Sequence, residues 1–227
     1  MTGPSLSPPG LVIFDCDGVL IDSETVSSRQ FSLHLARFGV HISAAEVQAR
    51  FTGYSESDTI TILRDSYGIE QAEEIVTSGQ TELYEAFRSD LLPVAGIEAL
   101  IARLVCPVCV ASNSSVERLE NSLGLLPLRR LFGEHVYSAE MVARPKPAPD
   151  LVEYCLARMG ACADEAIMID DSPHGVLAAR EAGVRAVGFI TPGDPRPDRA
   201  NILLKAGAHA VVSSPDDLVA ILGLPPV

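Results

Sequence analysis

The apolar positions of the chain change period twice. Residues 11–15, LVIFD, form a short unbroken apolar run that ends on an acid and an Asp-Gly turn. That is the pattern of a strand buried on both faces. From about residue 24 to 92 the spacing becomes helical, with Phe31, Leu35 and Phe38, then Ile60 and Leu63, then Leu83, Tyr84 and Phe87 on a polar background. Gly39, Gly53, Gly68 and Gly79 punctuate this stretch, and no part of it reads as a strand. After Leu92-Pro93 short apolar runs alternate with helical spacing. The pattern predicts strands at 107–112, 135–138, 166–170, 185–190 and 209–212, and helices near 95–105, 115–124, 149–159, 173–182 and 198–206. Gly124, Gly160, Gly183 and Gly207 fall where helices end, and Pro149 and Pro173 where they begin.

Strand–helix alternation predicts an α/β fold, a Rossmann-like parallel sheet flanked by helices with right-handed crossovers. The expected organisation is a catalytic core of residues 1–23 and 93–227 and an inserted helical-bundle cap domain, 24–92. Hinges near Asp22-Ser23 and Leu92-Pro93 would let the cap close over a bound substrate and exclude water.

Composition narrows the function classes. At 227 residues, 47% apolar, the chain can bury a sizeable core. No apolar run approaches the length of a membrane span, and MTGPSLSPPG at the start reads as a loose tail rather than a signal peptide. A formal charge of −13 argues against a nucleic-acid partner and an anionic membrane surface, yet leaves room for a small anionic substrate held by local cations. Five scattered cysteines point to a reduced, cytoplasmic protein; Cys106 and Cys109 form a lone C-x-x-C inside an apolar run, with no second pair to complete a metal site. A monomer is expected.

Parallel sheets bind ligands at the carboxyl ends of their strands. There the sequence sets Asp15 and Asp17 after the first strand, Ser112 to Ser115 after the second, and Asp170, Asp171 and Ser172 after the fourth. Lys146 stands between two prolines in ARPKPAPD, and only one other lysine, Lys205, occurs in the chain. Each element alone has a structural reading: a turn at Asp17-Gly18, helix capping at the serines and at Ser172. Together they suit a hard divalent cation such as Mg²⁺ with a phosphate on the serine loop and the lysine as a point charge. A carboxylate so placed can attack phosphorus, and a second acid can serve the leaving oxygen and then water.

FDCDGVLIDSE, VASNSS, RPKPAPD and IMIDDSPHGVLAAREAG resemble, in order, the four motifs of the haloacid dehalogenase superfamily, in its phosphatase and β-phosphoglucomutase branch. The resemblance implies that Asp15 is the nucleophile and Asp17 the general acid/base, whose carbonyl also meets Mg²⁺. It implies that Ser112 and the Asn113 amide bind the transferring phosphoryl group and that Lys146 steadies it. It makes Asp171 a direct Mg²⁺ ligand, with Asp170 assisting through water.

Within that family Asp17 favours phosphoryl transfer over dehalogenation, and a cap without lysine excludes Schiff-base phosphonate cleavage. The mutases carry a cap histidine and arginine where this chain has Ser27 and Glu56. The expectation is therefore a Mg²⁺-dependent phosphatase for a small phosphorylated metabolite, resembling bacterial sugar-phosphate phosphatases of the 6-phosphogluconate type. A phosphomutase and a non-enzymatic phosphometabolite sensor are the alternatives. Arg29, Arg50 and Arg64 are cap candidates for meeting substrate, and His174 for edging the cleft; solvated helix faces are the plainer readings of all four.

Overall fold

The computed structural model describes residues 9–52, 54, 56–192 and 194–225. Residues 1–8 of the expected tail, Gly53 and the side chain of Glu56 lie outside the described residues. The chain forms two compact units, one of residues 1–22 and 92–227 and one of residues 23–91.

Among the described residues the first unit holds one six-stranded sheet: β1 (Leu11–Phe14), β2 (Val108–Ser112), β3 (Val136–Ser138), β4 (Ala166–Asp170), β5 (Arg185–Phe189) and β6 (Ala210–Val212). The order is β3-β2-β1-β4-β5-β6, and every pair is parallel. Sequence order reverses across β1, so β1 and β4 flank the switch point where doubly wound sheets leave a crevice. Both are buried on both faces, which is why they read as unbroken apolar runs. One face, with Leu11, Ile13, Cys109, Ala111 and Met168, packs against helices α8 (Asp150–Met159), α9 (Pro173–Glu181) and α10 (Arg199–Ala206). On the other face, Phe14 meets Phe132 edge-on at 6.1 Å. Each such buried side chain contributes about 1.5–3 kcal/mol.

The second unit is all helical among its described residues: α1 (Ser23–Arg37), α2 (Ala44–Phe51), α3 (Glu56–Tyr67), α4 (Ala72–Ser78) and α5 (Gln80–Asp90). Its own core gathers Leu35, Ile42, Val47, Phe51, Leu63, Ile69, Ala72 and Ile75.

Three helices of the first unit depart from expectation, among them the one expected near 115–124, which is only α7 (Val116–Glu120) followed by a 3-10 turn at Leu123–Leu125. The helix expected at 95–105 is α6 (Ile97–Ile101), which stops early. Cys106 precedes Pro107, which disfavours helical backbone there and returns the chain to the extended form that enters β2. A C-terminal helix, α11 (Pro215–Ile221), was not expected, although Ser214 caps it and Pro215, Asp216 and Asp217 fill its first turn. Cys109 faces Cys155 in the core, and all five cysteines are free. No helix of the described residues is long and apolar enough to cross a membrane.

Candidate active site

The register of the sheet builds the centre. Phe14 pairs with Ile169, so the next residues, Asp15 and Asp170, stand side by side at the carboxyl edge on strands about 4.8 Å apart. Carboxylates this close need a cation, and Lys146 supplies one. Its Nζ donates to Asp15 Oδ1 at 2.6 Å, to Asp170 Oδ2 at 2.8 Å and to the Ala111 carbonyl at 3.0 Å. All three ammonium hydrogens are thereby used, and the side chain is buried. Asn113 fixes the lysine's backbone from β2's end: its Oδ1 accepts the Lys146 N–H at 3.0 Å, and its Nδ2 donates to the Lys146 carbonyl at 2.9 Å. Ser112, also buried, accepts the Ser114 N–H at 3.1 Å, and Ser115 caps the short helix α7 (Val116–Glu120).

Charge in the cluster is unbalanced. Oxygens of Asp15, Asp170 and Asp171 lie within 4.8 Å of one another, and all three residues are buried. Burial, the largest influence, pushes the Asp15 carboxyl well above the usual carboxylate range; Lys146 pulls it down, and Asp170 and Asp171 push it up again. Burial would by itself lower the Lys146 pKa, but the attraction of Asp15 and Asp170 outweighs it and holds the ammonium above the ordinary lysine value. A buried set of hard carboxylate oxygens with a deficit of positive charge fits a divalent cation of the Mg²⁺ type, which would relieve the pressure on Asp15.

Two glycines make the cluster possible. Gly18 adopts a left-handed φ of 76°, and a Cβ there would lie 2.9 Å from Asp171 Oδ2. A Cβ on Gly175, in the first turn of α9, would fall 1.7 Å from Asp170 Oδ2. Gly175→Ala must therefore displace the Asp170 carboxylate from Lys146 and from the Ser172 N–H, which it accepts at 2.8 Å. We expect a loss of about 1–3 kcal/mol of stability from the overpacking, and a fall in kcat steeper than that of Gly39→Ala, a control that strains a left-handed backbone (φ 79°) but whose Cβ meets no other atom. Thermal unfolding and steady-state kinetics check both.

The Asp17 carboxylate points elsewhere than the acid cluster. Its Oδ2 accepts from Ser114 Oγ at 2.8 Å and its Oδ1 faces Arg118 Nη2 at 3.4 Å. Arg118 carries no sequence signal among the chain's arginines, so only the fold reveals it. On the far side, Asp171 Oδ2 meets Arg196 Nη2 at 3.2 Å, and Arg199 donates to the Asp171 carbonyl. Asp194 grips Arg196 in turn; burial would raise its pKa, but the Arg196 hydrogen bonds more than offset this and hold it low. His174 is exposed on the first turn of α9. Within the helical unit, Arg29 pairs with Asp90, Arg50 with Glu46 at 3.2 Å, and Arg64 with Glu73 at 3.4 Å. Those three arginines are thus engaged by acids of their own unit.

Sheet order and site define a class: a doubly wound α/β enzyme with an acidic, lysine-neutralised centre at its switch point. The chain belongs to the haloacid dehalogenase-like hydrolase family, which it matches over residues 12–189. It is 30% identical over 187 residues to the 6-phosphogluconate phosphatase of Escherichia coli, covering 82% of this chain and 85% of that protein. Among solved structures, a haloacid dehalogenase-like protein of unknown function from Agrobacterium tumefaciens superposes with a TM-score of 0.86 at 33% identity, covering 94% of this chain and 97% of that one. A family hydrolase from Deinococcus radiodurans, solved with bound phosphate and sodium, gives 0.84 at 29% identity over 97% and 99%. Among the named relatives phosphatases prevail, and the chain is an enzyme of that type.

Proposed function

We propose that the protein is a Mg²⁺-dependent phosphatase that hydrolyses a small sugar phosphate through a phosphorylated Asp15. The observation that carries this reading is the sharing of buried Lys146 between Asp15 and Asp170, with Asp171 completing the acid cluster. Asp15 is the carboxylate at the end of β1, and its relief from burial would come from positive charge brought to the same place. Asp15, Asp170 and Asp171 would hold the cation, with the Asp17 carbonyl as the resemblance implies. When bound, a divalent cation neutralises the acids and the phosphoryl oxygens and helps align the group being transferred.

In the proposed sequence an Asp15 oxygen forms a bond to phosphorus as the bond from phosphorus to the sugar oxygen breaks, and Asp17 gives that oxygen its proton. Water then attacks phosphorus, Asp17 takes the proton back, and Asp15 is released as the carboxylate. Lys146 and the loop from Ser112 hold the phosphoryl oxygens, so the protein contributes mainly position and charge. Ser114 and Arg118 keep the Asp17 carboxylate at one place beside that loop.

A sugar phosphate is the substrate class that the relatives favour, since those on 6-phosphogluconate and fructose 1-phosphate match most of this chain. Hydrolysis is preferred to mutase chemistry because Ser27 stands where the mutase histidine is expected. The test is a panel of phosphorylated metabolites incubated with the full chain and Mg²⁺, read as inorganic phosphate. Sugar phosphates should give the highest kcat/KM, and excess EDTA should suppress release at least about a hundredfold. Release indifferent to chelation, or isomerisation of a sugar 1-phosphate in place of release, would oppose this reading.

A further inference from the structure

The loop after β5 carries a charge arrangement that neither the acid–lysine centre nor the fold requires. Asp194, whose side chain is 1% exposed, accepts from the Arg196 backbone N–H at 2.9 Å. The same carboxylate takes Arg196 Nε at 2.8 Å and Nη2 at 2.7 Å in a two-pronged grip. Pro195 and Pro197 flank the arginine, as Pro145 and Pro147 flank Lys146, so the backbone on either side is stiff. Held in this way, Arg196 turns Nη2 onto Asp171 Oδ2 at 3.2 Å. Arg199, at the start of α10, approaches the same oxygen at 3.7 Å and also holds the Asp171 carbonyl. Two guanidinium groups and one carboxylate thus present a net single positive charge to Asp171. Replacing such buried ion networks by apolar groups often leaves stability unchanged, so stability alone is a weak reason for them.

We propose that Arg196, fixed by Asp194 and seconded by Arg199, is a positioning and charge-balancing residue for Asp171 that sets how tightly the acid cluster holds a divalent cation. The inference rests on the reading that this cluster binds Mg²⁺. A guanidinium gripped by Asp194 and braced by prolines cannot withdraw when a cation arrives, as a water molecule would. It therefore lowers cation affinity by like-charge repulsion in a site of weak screening. In return, Asp171 Oδ2 stays engaged and the carboxylate keeps one orientation whether or not a cation is present.

The sign of the effect separates this role from scaffolding. Removing the arginine charge should tighten Mg²⁺ binding, whereas removing the Asp194 charge should weaken it. The measurement is calorimetric titration of the full chain with MgCl₂ alone, without substrate. Arg196→Met should lower the Mg²⁺ Kd about tenfold and Arg199→Gln about threefold, while Asp194→Asn raises it several-fold. Arg196→Lys, which keeps the charge, should stay within about twofold of the wild type. If Arg196→Met does not fold, as judged by circular dichroism, Arg199→Gln carries the same test of sign. Unchanged or weaker binding in the arginine variants, or Asp194→Asn moving the same way as they do, overturns the proposal. A wild-type chain that binds no Mg²⁺ overturns it together with the reading beneath it.

Discussion

Asp15→Asn should reduce turnover of an aryl phosphate by at least about 10⁴-fold while the protein stays folded. The amide has the shape of the carboxylate but cannot form the bond to phosphorus. Folding should be spared because Lys146 keeps Asp170 and the Ala111 carbonyl as partners, so no buried charge is orphaned. Burial is also the largest influence pushing the Asp15 carboxyl upward, so a neutral side chain removes a strain rather than adding one. The melting temperature without metal should therefore equal or exceed that of the wild type. Kinetics with p-nitrophenyl phosphate and a thermal melt check the two halves; turnover within tenfold of the wild type would remove Asp15 from the reaction.

Lys146→Met should be the most destabilising single change at the site. Met fills much of the same volume but leaves three buried carboxylates without the ammonium bonded to two of them. Removing one partner of a buried pair costs about 3–5 kcal/mol. The pH dependence has a definite sign. Asp15 already has a folded-state pKa raised above its unfolded value, and losing Lys146 removes an influence that lowers it. A group raised in this way binds protons more tightly in the folded state, so its stabilising contribution is present below the unfolded pKa and is lost as pH rises through the folded one. The variant should thus regain stability as pH falls through the raised folded-state pKa of Asp15, and Mg²⁺ at neutral pH should restore part of it by mass action. Denaturant unfolding at several pH values, with and without Mg²⁺, reads both effects. A variant that loses stability on mild acidification would contradict this account of the charge balance.

What the sequence revealed and concealed follows from the range of the forces involved. β1 and β4 were legible because strands buried on both faces must be apolar throughout, and the acids at their ends break that run abruptly. Lys146 was legible because lysine is scarce in this chain and this one stands between prolines. The same signal stood around Arg196, but 15 arginines made one more unremarkable, and its partner Asp171 lies 25 residues away. The Arg118 contact to Asp17 spans 101 residues and exists only once β1 and β2 pair. Gly175 could be placed in a helix but not beside a carboxylate, since its role is the space it leaves empty. Helix α11 was missed although its cap, proline and acids were all present, because its apolar stripe is only a few residues long. Arg29, Arg50 and Arg64 show the same limit from the other side: the sequence displays a cation on a helix but not the acid that each one meets within its own unit.

The most direct measurement uses Asp17→Asn, which lacks the group that would activate water, with p-nitrophenyl phosphate, whose leaving group needs no acid. On mixing with this variant and Mg²⁺, a stoichiometric burst of nitrophenolate should precede a slow steady rate, and peptide mass spectrometry after an acid quench should find the phosphate on residue 15. Nitrophenolate released without a burst and in step with inorganic phosphate, or phosphate found on any other side chain, would contradict a phosphorylated Asp15.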